Sequence, residues 1–176
     1  NWNIFRYNIG GGDDPDNANC EPHPMGKGKG LRAEMEGFLD EPGGKYHWER
    51  DKGQRKIMLK IKERRPDAIF EAFSNSAPWW MTYSGCCAGH KDPNKDNLKP
   101  EYYKAFAEYL VNVCKHYKDK YGIEFKTLEP FNEPVTNYWY ANGSQEGCHF
   151  SMEEQVKFIK ILQPVLKASG LKTVLA

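Results

Sequence analysis

Two residues carry the clearest chemical signal in the chain: Asn132 and Glu133, within Glu129-Pro130-Phe131-Asn132-Glu133-Pro134. A carboxyl that can give and take a proton stands beside an amide that can bind a polar substrate. Pro134 withholds a backbone donor and drives Glu133 away from helical geometry. The apolar run before it (Ile123, Phe125, Leu128) reads as a strand, so the pair belongs at a strand's C-terminal rim. Arg6 is the second signal. It stands inside the apolar strand Asn3–Ile9, where a charge requires a partner. An arginine there can orient a carboxylate by paired hydrogen bonds. Glu71 and Glu129 are the strand carboxylates within this pattern; both read as structural, with Glu71 a candidate partner for Arg6. Aromatics form the third signal, 14% of residues. Trp79, Trp80, Tyr83, Tyr138, Trp139 and Tyr140 lie in polar, Gly- and Pro-rich stretches, where a flat apolar face more often lines a cleft than a core.

Other chemistries are poorly served. Gly10-Gly11-Gly12 follows a strand but lacks dinucleotide spacing, and no helix pattern starts behind it. Those glycines are expected to let backbone pass close to a ligand or another segment. Gly26-Lys27-Gly28-Lys29-Gly30 lacks the Lys-Ser/Thr of a phosphate loop. The five histidines are dispersed, with His116 expected on a helix surface, and no Cys/His cluster has metal spacing. No metal and no cofactor are expected. A net charge of +1 gives no field for nucleic acid, and no apolar run reaches the roughly 18 residues of a membrane span. Cys114 falls on a helix's apolar face. Cys20, Cys86, Cys87 and Cys148 fall in loops, where a disulfide among them would fit an exported protein.

These residues are carried by a regular alternation. The strand Asn3–Ile9 leads into a long loop to about Trp48, then a helix from Arg50 to about Arg65 with Ile57, Met58 and Ile61 on one face. Ala68–Phe73 is a second strand, and Ser74–Asn97 a second long loop. A helix from Pro100 to about Tyr121 buries Tyr103, Phe106, Ala107, Leu110, Val113, Cys114 and Tyr117. Glu124–Pro130 is the third strand. Ser151-Met152-Glu153-Glu154 is a capping box opening a helix with Met152, Val156, Ile159, Leu162 and Leu166 on one face. Pro164 is expected to kink or split that helix. Lys172–Ala176 begins a fourth strand.

Alternation of strands and helices means a parallel α/β sheet with helical crossovers. Every long loop follows a strand, and the helix-to-strand links are short. That asymmetry fits a β/α barrel, whose site is built at the strands' C-terminal ends; a doubly wound open parallel sheet is the alternative. A full (β/α)8 TIM barrel needs about 250 residues, so four strands make about half of one. The first residues already read as a strand, and a piece of a longer polypeptide is expected.

With the chain laid out, a family resemblance emerges. Phe5-Arg6-Tyr7-Asn8-Ile9-Gly10-Gly11-Gly12-Asp13, Ser76-Ala77-Pro78-Trp79-Trp80-Met81, Asn97-Leu98 leading into Tyr103–Leu110, and Asn132-Glu133-Pro134 follow in an order that resembles glycoside hydrolase family 30. The loops most resemble its endo-β-1,6-galactanase-like branch. The resemblance implies that residues 1–176 are part of a single catalytic barrel domain, about strands two to five. It implies a retaining hydrolase with Glu133 as general acid/base, Asn132 on the sugar 2-hydroxyl, Arg6 and Asp13 at the floor of the pocket and Trp79 in its wall. Trp80, Tyr138 and Trp139 are added here as candidate sugar-stacking rings. The nucleophile would be a glutamate on strand seven, outside this chain. The implied partners are a polysaccharide or oligosaccharide substrate and the remainder of the barrel, in an extracellular or periplasmic setting. The alternatives are a non-catalytic carbohydrate-binding barrel, or a specificity for xylan, β-1,6-glucan or glucosylceramide.

Overall fold

A computed structural model of the chain describes residues 2–12, 14, 35–143 and 145–176. Four strands, β1 (Ile4–Asn8), β2 (Ile69–Phe73), β3 (Thr127–Glu129) and β4 (Val174–Leu175), alternate with α1 (Lys52–Arg64), α2 (Tyr103–Tyr121) and α3 (Met152–Ala168). The strands are parallel and lie side by side in chain order. A doubly wound sheet reverses direction at a switch point; no reversal occurs among the described strands. The sheet is an arc of a β/α barrel, and the open-sheet alternative falls.

The strand period sorts the two faces. Phe5, Tyr7 and Ile9, with Phe70, Ala72 and Leu128, turn toward the helices and join the core. Tyr7 stacks on Phe125 and leans on Tyr117, at ring separations of 5.6 and 4.7 Å. Its hydroxyl donates to Asp51 and accepts from the Tyr117 hydroxyl. Arg6 and Asn8, with Glu71, Phe73, Thr127 and Glu129, share the opposite face, as the register requires. That face carries the charged side chains of the strands.

The seven residues expected to form the α2 stripe are all buried. Two other faces differ from expectation. In α1, Met58 is buried, Ile61 is half-buried and Ile57 is exposed. In α3, the buried residues are Phe158, Leu162 and Leu166, whereas Met152 and Val156 are exposed. Phe158 decides the register: it packs against Phe106, Tyr103, Phe131 and Phe150, and an aromatic buries more area than the smaller residues it displaces. Half of the expected capping box forms: Ser151 Oγ accepts from the Glu154 amide, but the Ser151 amide donates to Asp96 instead of to Glu154. Pro164 does not split the helix. It lies on the exposed face, where water can satisfy the carbonyl left without a helical donor. His116 is half-buried rather than on the surface, and its ring lies flat on Trp48 at 3.9 Å.

Loop segments cross tightly above β1. A Cβ on Gly11 would stand 2.5 Å from Cys87 Sγ and 2.7 Å from the Ala77 carbonyl oxygen. The Gly11 carbonyl accepts from the Trp79 amide, and the Gly12 amide donates to Met35. The glycine run therefore serves close passage of backbone, as expected, and only a residue without a side chain fits at Gly11. Cys86 is disulfide-bonded, while Cys114 and Cys148 are free thiols.

Candidate active site

The strand ends enclose a cavity of about 290 Å³. Arg6 and Asn8 reach it from β1, Phe73 and Asn75 from the end of β2, and Asn132 and Glu133 from the end of β3. Gln145 and Glu146 return to it from the far side of the β3–α3 loop. Arg6, Asn132 and Glu133, three residues singled out from sequence, thus meet in one cleft.

Arg6 does not pair with Glu71. Its guanidinium donates to Glu129 Oε2 at 2.5 Å and lies 3.9 Å over the Phe73 ring. The cation is held by a carboxylate and by the negative face of an aromatic together.

Glu133 is exposed, and its backbone takes a φ of 49°. Its carboxylate accepts from Tyr138 Oη at 2.9 Å. Its carbonyl accepts from Trp139 Nε1 at 3.0 Å and from Thr136 Oγ1 at 2.9 Å.

The remaining aromatic expectations divide. Trp139 is buried at 3% exposure and its ring packs where a Cβ on Gly147 would come within 2.1 Å. It offers no face for a sugar and is corrected from a stacking ring to a support. Trp80 is half-buried: its indole donates to the Leu39 carbonyl and its ring packs edge-on to Tyr102, against the core. Trp79 is half-buried, with its Cδ1 3.7 Å from where a Gly12 Cβ would stand. Tyr138 remains exposed. Asp13 lies outside the described residues.

Glu146 escaped sequence reasoning. Two percent exposed, it accepts from Asn8 Nδ2 at 2.8 Å, the Gly11 amide at 3.1 Å and the Met35 amide at 3.2 Å. Asn75 adds a side-chain hydrogen bond. One carboxylate from the third loop thereby binds the first loop and the ends of β1 and β2. Burial pushes its carboxyl up to about 7, against the pull of those four donors. No local signal marks Glu146, which reads as a solvated charge in a Gly/Ser/Gln loop. Asn8 was findable: it stands two residues beyond Arg6, on the same strand face. Among the described residues no group of His, Cys, Asp and Glu is placed to hold a metal. No helix among them is long and apolar enough to cross a membrane.

A partial parallel β/α barrel brings a carboxyl, an amide and a guanidinium together at its strand ends, the rim at which barrel enzymes build their sites. Residues 2–176 match the sequence profile of O-glycosyl hydrolase family 30, and the chain belongs to that family. It is 33% identical to the endo-β-1,6-galactanase of Hypocrea rufa over 99% of this chain and 37% of that protein. Among solved structures it superposes on a conserved exported protein from Bacteroides fragilis with a TM-score of 0.82 at 27% identity, covering 98% of this chain and 33% of that one. An endo-β-1,6-glucanase gives a TM-score of 0.71 at 22% identity, covering 99% of this chain and 34% of that one, a likeness of fold. The chain thus spans about a third of the length of these relatives.

Proposed function

We propose that this chain is part of the single catalytic barrel of a retaining glycoside hydrolase that cleaves β-1,6-galactan internally. The observation that carries the reading is Glu133, its carboxyl exposed in a cavity it shares with Asn132 and Arg6. The identity to the Hypocrea rufa galactanase across nearly the whole chain supports the galactan specificity.

Glu133 protonates the departing glycosidic oxygen as the bond to the anomeric carbon breaks. A second carboxylate, about 5 Å away in retaining enzymes, attacks that carbon from the opposite face. Glu133, now ionised, then takes a proton from the water that releases the sugar. Asn132 binds the 2-hydroxyl, and Arg6 fixes the cavity floor through Glu129. The nucleophile comes from a strand outside this chain, so residues 1–176 alone have no hydrolase activity. The disulfide at Cys86 supports an extracellular or periplasmic setting.

The test compares release of reducing ends from β-1,6-galactan, β-1,6-glucan and xylan by the full-length protein. Preferred cleavage of galactan is expected, with anomeric configuration retained in the product. Preference for glucan or xylan would overturn the specificity. Binding without cleavage of any of the three would make the barrel a carbohydrate-binding protein.

A further inference from the structure

Among the described residues, Glu133 and Asp51 are the non-glycine positions with positive φ. An L-residue holds that conformation only where its surroundings enforce it. At Glu133 the enforcement comes from within its own loop. The carbonyl is held by the Trp139 indole N–H and by the Thr136 hydroxyl. The indole cannot move away, because it is buried and wedged against Gly147. Tyr138 leans edge-on against that same indole, ring centres 4.6 Å apart, and its hydroxyl reaches the Glu133 carboxylate at 2.9 Å.

We infer that Tyr138 and Trp139 are positioning residues for Glu133: the indole sets its backbone, and the phenol aims its carboxyl into the cleft. The inference rests on the acid/base reading above. A general acid must present its proton within hydrogen-bond reach of the leaving oxygen, and a glutamate side chain on an exposed loop otherwise samples many rotamers. A phenol suits both halves of the cycle. It donates to the carboxylate, and it still donates to the carbonyl oxygen of the acid form, leaving the acid proton on the other oxygen free for substrate.

Tyr138→Phe keeps the ring and removes the hydroxyl, so it separates aiming from sugar stacking. The full-length protein is assayed on two β-galactobiosides, one with a 2,4-dinitrophenyl leaving group and one with a methyl leaving group. The activated substrate needs little proton assistance. Tyr138→Phe is expected to lower kcat/KM about tenfold or more on the methyl galactobioside and no more than about threefold on the dinitrophenyl one. Trp139→Phe should show the same split. Because the buried indole also packs, Tyr138→Phe at an exposed position decides if the tryptophan variant fails to fold. Equal losses on both substrates, or no loss, would overturn the inference. Glu133→Gln on the same pair is the control. A leaving-group split there with none in Tyr138→Phe sinks the aiming role alone, whereas no split in Glu133→Gln sinks the acid/base reading beneath it.

Discussion

Arg6 lies directly beside Glu71 in the sheet register, yet its guanidinium crosses β2 and binds Glu129 on β3. The Phe73 ring beneath the guanidinium explains the reach: turning up and across the strand places the cation on an aromatic face and carries it toward the strand ends. Both charges are more than a third exposed, so the pair contributes about 0–1 kcal/mol to stability after solvent screening. Glu129→Gln should therefore leave the urea midpoint almost unchanged while lowering kcat/KM of the full-length protein about tenfold, through loss of the anchored guanidinium. Glu71→Gln should alter neither. A larger kinetic loss from Glu71→Gln would reverse the assignment.

Glu146 should make stability depend on pH. Its folded value of about 7 lies above the ordinary 4.5, so between these pH values the folded chain binds the more protons. Stability contributed by the neutral acid is full below about pH 4.5 and is lost as pH rises through about 7, on the order of 3 kcal/mol. Asp51, pushed up to about 6 mainly by burial, adds the same sign over a lower window. Urea midpoints measured from pH 5 to 8 should fall with pH, and Glu146→Gln should flatten the upper part of that slope. An unchanged slope in the variant would place the proton elsewhere.

Gly11→Ala tests the crossing of the loops. The added methyl meets a backbone carbonyl and a buried sulfur, neither of which can swing aside as the end of a flexible side chain would. The cost is about 1–3 kcal/mol, read as a fall in thermal midpoint. Gly43→Ala is no control despite its open surroundings, because its φ of 68° strains any side chain. Gly53, at the start of α1 with open space around its Cβ position, is the control, and Gly53→Ala should be neutral or stabilising.

The face of α3 is tested by two substitutions. Phe158→Ala should cost about 3–5 kcal/mol, since a fully buried ring among four other aromatics is lost. Val156→Ser, on the exposed face, should stay within about 0.5 kcal/mol. Comparable losses from both would restore the face expected from the apolar spacing.

Alternation of strand and helix, strand-end loops and the Asn132-Glu133 pair were legible because each depends on local rules: proline geometry, period, loop placement. The partner of Arg6 was not, because adjacency in a parallel sheet depends on which neighbour lets the side chain bypass an aromatic. The α3 face was misread for a related reason. Leu162 and Leu166 are buried as expected, but Met152 and Val156 satisfy the helical spacing leading to them as well as Phe158 does, and only the aromatic cluster on α2 and the preceding loop chooses Phe158. Trp139 looked like a ligand platform because its neighbours are polar; burial under its own loop is a tertiary fact. Glu146 was invisible for the same reason. All four donors to it lie more than 70 residues away in the chain.

That single carboxylate also bears on how such an enzyme could be re-engineered. Strand-end loops of barrels are commonly treated as exchangeable modules, grafted one at a time to alter what the barrel accepts. Here the first and third loops and the end of β2 share one set of hydrogen bonds. A transplant of the 130–151 loop into a barrel that does not place Asn8, Asn75 and the Gly11 and Met35 amides around it would bury a carboxyl short of its donors. The unit of exchange is the trio of segments, and variation in specificity should enter through positions outside their common knot.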